Sequence, residues 1–264
     1  MLLSHHQQAL DRFVQDFSQK NEVQAILVGG SLVKEFGKAD SDVDVMIIVD
    51  EAAYQARQAS ADLTFYSTDY TDYQGGYVDG KFMGSSFLEL VAEKGSEPAR
   101  AAFLNAYIAW SRADSSHLQA LVDRINTYDE STRIQHIQRF VAQVQAMHWY
   151  VGEAERHDNP YLLNWSAVRA VLFTTRVLLA HNRLFFPYHK WASRMLERAA
   201  DKPEQYLQRA DALMRAPTAQ ATRELCELVL NFKDWGVPER SWPSQFALDS
   251  ELNWLSGHTP VEDL

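Results

Sequence analysis

The run Leu27-Val28-Gly29-Gly30-Ser31 is followed, after ten residues, by Asp42-Val43-Asp44-Val45. On a strand, side chains two apart share a face, so Asp42 and Asp44 project together while Val43 and Val45 turn the other way. Two carboxylates confined in this way repel each other unless a cation lies between them, and hard oxygen ligands of this kind suit Mg²⁺ bridged to substrate phosphates. Gly29 and Gly30 let the backbone approach a ligand closely. Ser31 adds a hydroxyl and an N–H where a helix is expected to begin. Together these residues predict a diphosphate or triphosphate held at the Gly-Gly-Ser turn, with Mg²⁺ on the acid pair, set for nucleotidyl or phosphoryl transfer. Either half alone is ordinary, since Gly-Gly-Ser is a common turn and Asp-x-Asp a common solvated strand edge. The order strand, turn, helix, strand joins them into one site.

The elements that must position these residues follow from periodicity. Leu10, Phe13, Val14 and Phe17 recur at helical spacing, and the chain then turns to the strand pattern of residues 23–28. Further strands are expected over 42–49, 62–67 and 77–83, the last entered through Gly75-Gly76. Phe87, Leu88, Leu90 and Val91 predict a helix capped at Gly95. Ser96 and Pro98 open another turn, and a final strand is expected over 105–112. Beyond Asp114 the pattern changes to long stripes of 3.6-residue period, such as Ile137, Phe140, Val141, Val144, Met147 and Val151. A second stripe, Val168 to Leu179, is expected to end or kink at Pro187. More helices are expected around 191–200 and 223–232, and the tail with Pro238, Pro243 and Pro260 reads as irregular. The fold class is therefore α+β: a mixed-sheet domain over 1–114 and a helical bundle over 115–264, with an active cleft expected between them.

The Gly-Ser turn and the Asp-x-Asp on the next strand resemble the polymerase-beta-like nucleotidyltransferase superfamily over residues 20–83. With a helical C-terminal domain, the organisation looks most like the aminoglycoside-type antibiotic nucleotidyltransferases. That resemblance asks for an apolar residue after each acid. It therefore selects Asp42 and Asp44 over Asp40, which Ser41 follows. It also implies a third carboxylate from a later strand, for which Asp79 in Tyr77-Val78-Asp79-Gly80-Lys81 is the best match. Asp69 and Asp72 in a loop-like cluster, and Glu89 on an expected helix, are the alternatives. By the same resemblance Asp42, Asp44 and Asp79 hold the metal, Asp79 helps to deprotonate the attacking hydroxyl, and pyrophosphate leaves in an in-line displacement. Gly29, Gly30 and Ser31 would bind the nucleotide. Lys190, in Phe186-Pro187-Tyr188-His189-Lys190-Trp191, is similar to a Pro-Tyr-x-Lys-Trp stretch in helical domains of such transferases and would reach the triphosphate. The alternative is an exposed lysine beside a buried Trp191.

Composition narrows the partners. The chain of 264 residues carries 25 Lys and Arg against 35 Asp and Glu, a formal charge of -10. Residues 1–114 hold 9 basic and 17 acidic side chains. That balance disfavours nucleic acid or an anionic membrane and suits a neutral or cationic small acceptor bearing a hydroxyl. ATP is the expected donor, although the residues themselves fix no base preference. Lone Cys226 and an opening without a signal-peptide pattern lead to an expected cytoplasmic location. The apolar stretch 168–186 carries Arg169, Arg176 and Arg183, which argues against a membrane span. Spaced by seven, these arginines read as a solvated stripe on one helix face. The histidines show no metal-ligand spacing, so zinc is not expected. Transfer to a protein or RNA, and a non-catalytic nucleotide-binding module, are the competing readings. Retention of the carboxylates speaks against the last.

Overall fold

The computed structural model describes residues 2–236, 238–255 and 257. It contains two compact units, 1–128 and 129–264.

The first unit is a five-stranded mixed sheet covered by helices. Its elements are α1 (Ser4–Phe17), β1 (Val23–Val28), α2 (Gly30–Val33), β2 (Val43–Val49), α3 (Glu51–Ser60), β3 (Thr64–Ser67), β4 (Val78–Met83), α4 (Ser85–Lys94), α5 (Glu97–Ala102), β5 (Tyr107–Ser111) and α6 (Ser116–Asn126). The strand order is β3-β4-β2-β1-β5. β2 and β4 run parallel, and the other pairs are antiparallel. The near-continuous apolar sequences of β1 and β2 are explained by this order, because the central strands are covered on both faces. On one face Val43, Val45 and Ile47 pack with Leu10, Phe13 and Phe17 of α1. On the other, Met46, Ile48 and Met83 pack with Leu88 and Val91 of α4 and with Leu121, Val122 and Ile125 of α6.

That second layer moves the boundary. The sequence reading began the helical domain at residue 115, yet α6 buries its apolar stripe under the sheet and the first unit closes only at Tyr128. Arg100 fastens the arrangement by donating to the carbonyls of Gly95, Ala92 and Ile125 at 3.1, 3.0 and 3.4 Å. α3 was not foreseen. Tyr54 is its one buried residue, and its start is fixed by Asp50, whose carboxylate accepts from the Ala53 N–H at 2.9 Å.

The second unit comprises α7 (Glu130–Arg156), α8 (Pro160–His181), α9 (Ala192–Glu197), α10 (Tyr206–Arg215), α11 (Ala219–Leu230) and α12 (Trp242–Phe246). α8 is long and apolar enough to cross a membrane by composition. It is, however, the packed centre of this bundle, with Ala167, Ala170, Val177, Leu178 and Leu179 fully buried. It ends at His181 with Asn182 as cap and Arg183 at φ 57°, ahead of Pro187. Arg183 therefore lies outside the helix and pairs with Glu130. Arg169 and Arg176 are half-buried over aromatic rings: Trp165 and Phe173 for the first, Phe140 and Phe186 for the second. The expected solvated stripe is thus not formed. The tail is irregular around Pro238, as expected, but is helical from Trp242. Pro243 sits in the first turn of α12, and Asp249 beyond it takes two hydrogen bonds from the Arg139 guanidinium, at 3.0 and 2.7 Å. Pro260 lies outside the described residues.

Candidate active site

The turn after β1 is built around Ser31. Its carbonyl accepts from the N–H groups of both Phe36 and Gly37 at 3.0 Å, which folds the chain back toward β2. α2 is a single turn of four residues. It is too short to supply a helix dipole, so the turn offers backbone N–H groups and close approach rather than the helix start expected from sequence. Gly30 has φ +72°, and a Cβ there would fall 1.6 Å from Asp44 Oδ2. The Ser31 N–H makes a long hydrogen bond of 3.3 Å to the same oxygen.

Across the sheet, Asp44 of β2 is in register with Asp79 of β4, and Asp79 is in register with Tyr66 of β3. Asp42, just before β2, shares the face of Asp44. Each of Asp42, Asp44 and Asp79 can place a carboxylate oxygen within 4.8 Å of the others. Asp42 and Asp44 are half-buried and Asp79 is exposed. Burial, reinforced by Asp42, raises the Asp44 carboxyl from 3.8 to about 6, while the Ser31 N–H and Lys34 oppose the shift. Three acidic oxygens so confined form a hard donor set that fits a divalent cation.

The other acids lie elsewhere. Asp72 pairs with Arg12 at 3.4 Å and Glu89 approaches His117 at 4.0 Å. Asp69 sits in an exposed turn capped by Ser67, whose Oγ accepts from the Asp69 N–H at 3.0 Å. Lys190 is exposed in the second unit, its ammonium 5.1 Å from the ring centre of its neighbour Trp191.

Several residues not singled out from sequence border the cluster. Lys34 is buried, donates to the Ala102 carbonyl at 3.4 Å, and is pushed down by burial while Asp44 opposes. Tyr77 precedes Asp79 by two residues and shares its face. Burial first, then the charge of Asp42 and a hydrogen bond to it, push the Tyr77 hydroxyl up to about 12. Tyr73 donates its hydroxyl to the Ser41 carbonyl at 2.8 Å, tethering the segment that leads into Asp42. A lysine three residues after the Gly-Ser turn and a tyrosine two before the third acid were the available signals.

Comparison with known proteins agrees with this geometry. Residues 10–128 match the family described as nucleotidyltransferase domain. The first unit is therefore a nucleotidyltransferase domain of the polymerase-beta-like superfamily, and its matched span ends where the compact unit does. Among solved structures, the chain is similar to a nucleotidyltransferase-like protein from Exiguobacterium sibiricum 255-15. The identity is 10%, with 98% of this chain and 83% of that one covered and a TM-score of 0.45. The search of curated proteins found no match.

Proposed function

We propose that the protein transfers a nucleoside monophosphate from an NTP, with ATP the expected donor, to a hydroxyl of a small molecule. This follows the manner of the aminoglycoside-type antibiotic nucleotidyltransferases that its organisation resembles. The observation that carries the reading is the meeting of three carboxylates within 4.8 Å on one sheet face, with Asp44 packed directly over Gly30 of the turn. Asp42, Asp44 and Asp79 would hold Mg²⁺, which when bound offsets the charge of the phosphates and of departing pyrophosphate.

The chain's own residues supply the rest. Gly29 and Gly30 let phosphate oxygens come close to the backbone, and the Ser31 N–H and hydroxyl donate to them. The acceptor oxygen bonds to the α-phosphorus as the bond from that phosphorus to the bridging oxygen breaks. The acceptor's proton passes to a carboxylate oxygen of Asp79, which is exposed and open to an incoming hydroxyl. The acidic balance of residues 1–114, 17 acids against 9 bases, favours a neutral or cationic acceptor over RNA. Buried, unpaired Cys226 suits a reducing, cytoplasmic setting.

Mass spectrometry after incubation with each NTP, Mg²⁺ and an aminoglycoside panel tests the reading. A nucleotide-mass adduct on an aminoglycoside, lost in Asp42→Asn and Asp44→Asn, is the expected result. Labelling of an added protein or RNA instead would transfer the activity to a macromolecular acceptor.

A further inference from the structure

One row of residues crosses the sheet face that carries the carboxylates. It begins at the Gly30–Ser31 turn after β1, continues through Asp44 on β2 and Asp79 on β4, and ends at Tyr66 on β3. Strands lie about 5 Å apart, so Tyr66 stands roughly 10 Å from Asp44. Tyr66 is 65% exposed on the edge strand, whereas its neighbour Phe65 turns to the other face and packs against Phe13 and Phe17. The Tyr66 ring lies 5.0 Å from the ring of Tyr77 at a 39° tilt. Tyr77 in turn reaches Asp42. The carboxylates are thereby flanked by the Gly30–Ser31 turn on one side and an aromatic pair with Tyr66 in solvent on the other.

In-line displacement requires the attacking oxygen and the leaving group to stand on opposite sides of the phosphorus. If pyrophosphate leaves toward Gly30 and Ser31, the attacking hydroxyl comes from the side of β4 and β3. We infer that Tyr66 and Tyr77 form the acceptor platform, against which a polyhydroxylated ring bearing ammonium groups stacks with its hydroxyl toward Asp79. This rests on the nucleotidyl-transfer reading above and deepens it. An aromatic face offers apolar contact to the C–H face of such a ring and attracts an ammonium within about 6 Å. Asp42, Asp44 and Asp79 add negative charge on the same face. Lys81, one rung beyond Asp79 and opposite Thr64, supplies a positive charge there.

The test places 3-fluorotyrosine at position 66 of the full chain and follows its ¹⁹F resonance, with calorimetry on the same samples. The probes are kanamycin and a non-hydrolysable ATP analogue with Mg²⁺. The inference expects the resonance to move saturably with kanamycin and to stay in place with the analogue alone. It also expects Tyr66→Ala to weaken kanamycin binding roughly tenfold while leaving analogue binding unchanged. Tyr66→Phe should bind kanamycin as the native protein does. A resonance that moves with the analogue alone would make the pair a nucleobase platform and overturn the inference. So would a resonance silent to kanamycin, whether or not calorimetry detects kanamycin elsewhere. The broader reading is judged separately, by whether the Mg²⁺ analogue complex binds at all and loses affinity in Asp42→Asn.

Discussion

Gly30 and Asp44 occupy each other's space: a Cβ on Gly30 would lie 1.6 Å from Asp44 Oδ2 and 2.1 Å from its Cγ. The turn residue and the carboxylate, thirteen positions apart for Ser31 and Asp44, are held together by the Ser31 N–H and by the Gly29 N–H, which donates to the Asp44 carbonyl at 3.0 Å. The motif is thus one packed object in which the turn sets where the acid points.

Gly30→Ala should therefore displace Asp44 and also strain a backbone at φ +72°. A misplacement of about 1 Å at such a site costs on the order of a hundredfold in rate. Pyrophosphate release should fall by that much while circular dichroism retains the fold. Gly75→Ala is the control, because it imposes similar strain at φ +77° while its Cβ would meet nothing nearer than the Asp40 carbonyl at 4.0 Å. Equal losses in the two variants would refute the steric coupling.

Asp44 also makes stability depend on pH. Its carboxyl is raised from 3.8 to about 6, chiefly by burial, so the folded state holds this proton more tightly than the unfolded chain does. The contribution favours folding at low pH and becomes a penalty as pH rises through about 4 to 6. Above that window it is complete, at about 1–3 kcal/mol. Asp44→Asn should then raise the melting temperature in EDTA at pH 8 and leave it unchanged near pH 4. Mg²⁺ should stabilise the native protein at pH 8 but not the variant. An Asn variant no more stable than the native protein at pH 8 would show that the buried charge is already compensated.

The parts of this site legible in the sequence are those encoded locally. The β-branched run over residues 42–49 and the Gly-Gly-Ser turn predicted a strand, a sharp turn and a shared face for Asp42 and Asp44, and the helical stripe ending at Phe17 predicted α1. Asp79 is a different case. Its place opposite Asp44 depends on parallel pairing of β2 and β4, a long-range register that no local pattern encodes, so resemblance ranked it above Asp69 and Asp72. Lys34 escaped notice because its burial depends on the turn closed by Ser31 and on the distant Ala102 carbonyl. α6 was assigned to the wrong unit for a similar reason. Leu121, Val122 and Ile125 announce a buried helix face but not which layer buries it.

In the helical unit, Tyr206 is fully buried. Its hydroxyl lies 2.7 Å from Thr174 Oγ1 and 2.9 Å from Thr175 Oγ1. Thr174 also donates to the Ala170 carbonyl at 2.6 Å, so the cluster ties α10 to the centre of α8. Tyr206→Phe keeps the ring and leaves the threonine hydroxyls short of a partner, which should cost about 1–3 kcal/mol in urea unfolding. A change below about 0.5 kcal/mol would mean that water or a rotated hydroxyl takes over.

Asp79 should separate chemistry from nucleotide binding. Asp42 and Asp44 lie at the start of β2 beside the Gly30–Ser31 turn, whereas Asp79 is exposed on β4 toward Tyr66. Removing its charge leaves the turn and the other two carboxylates in place. It deprives the acceptor hydroxyl of the base nearest to the attacking side. For Asp79→Asn we expect kcat to fall by roughly a hundred- to ten-thousandfold, the range associated with loss of general-base assistance, while KM for the NTP changes only a few-fold. Asp42→Asn should instead depress both nucleotide affinity and kcat. Should KM for the NTP rise in step with the fall in kcat, Asp79 would be a cation ligand alone and the proton would pass to another acceptor.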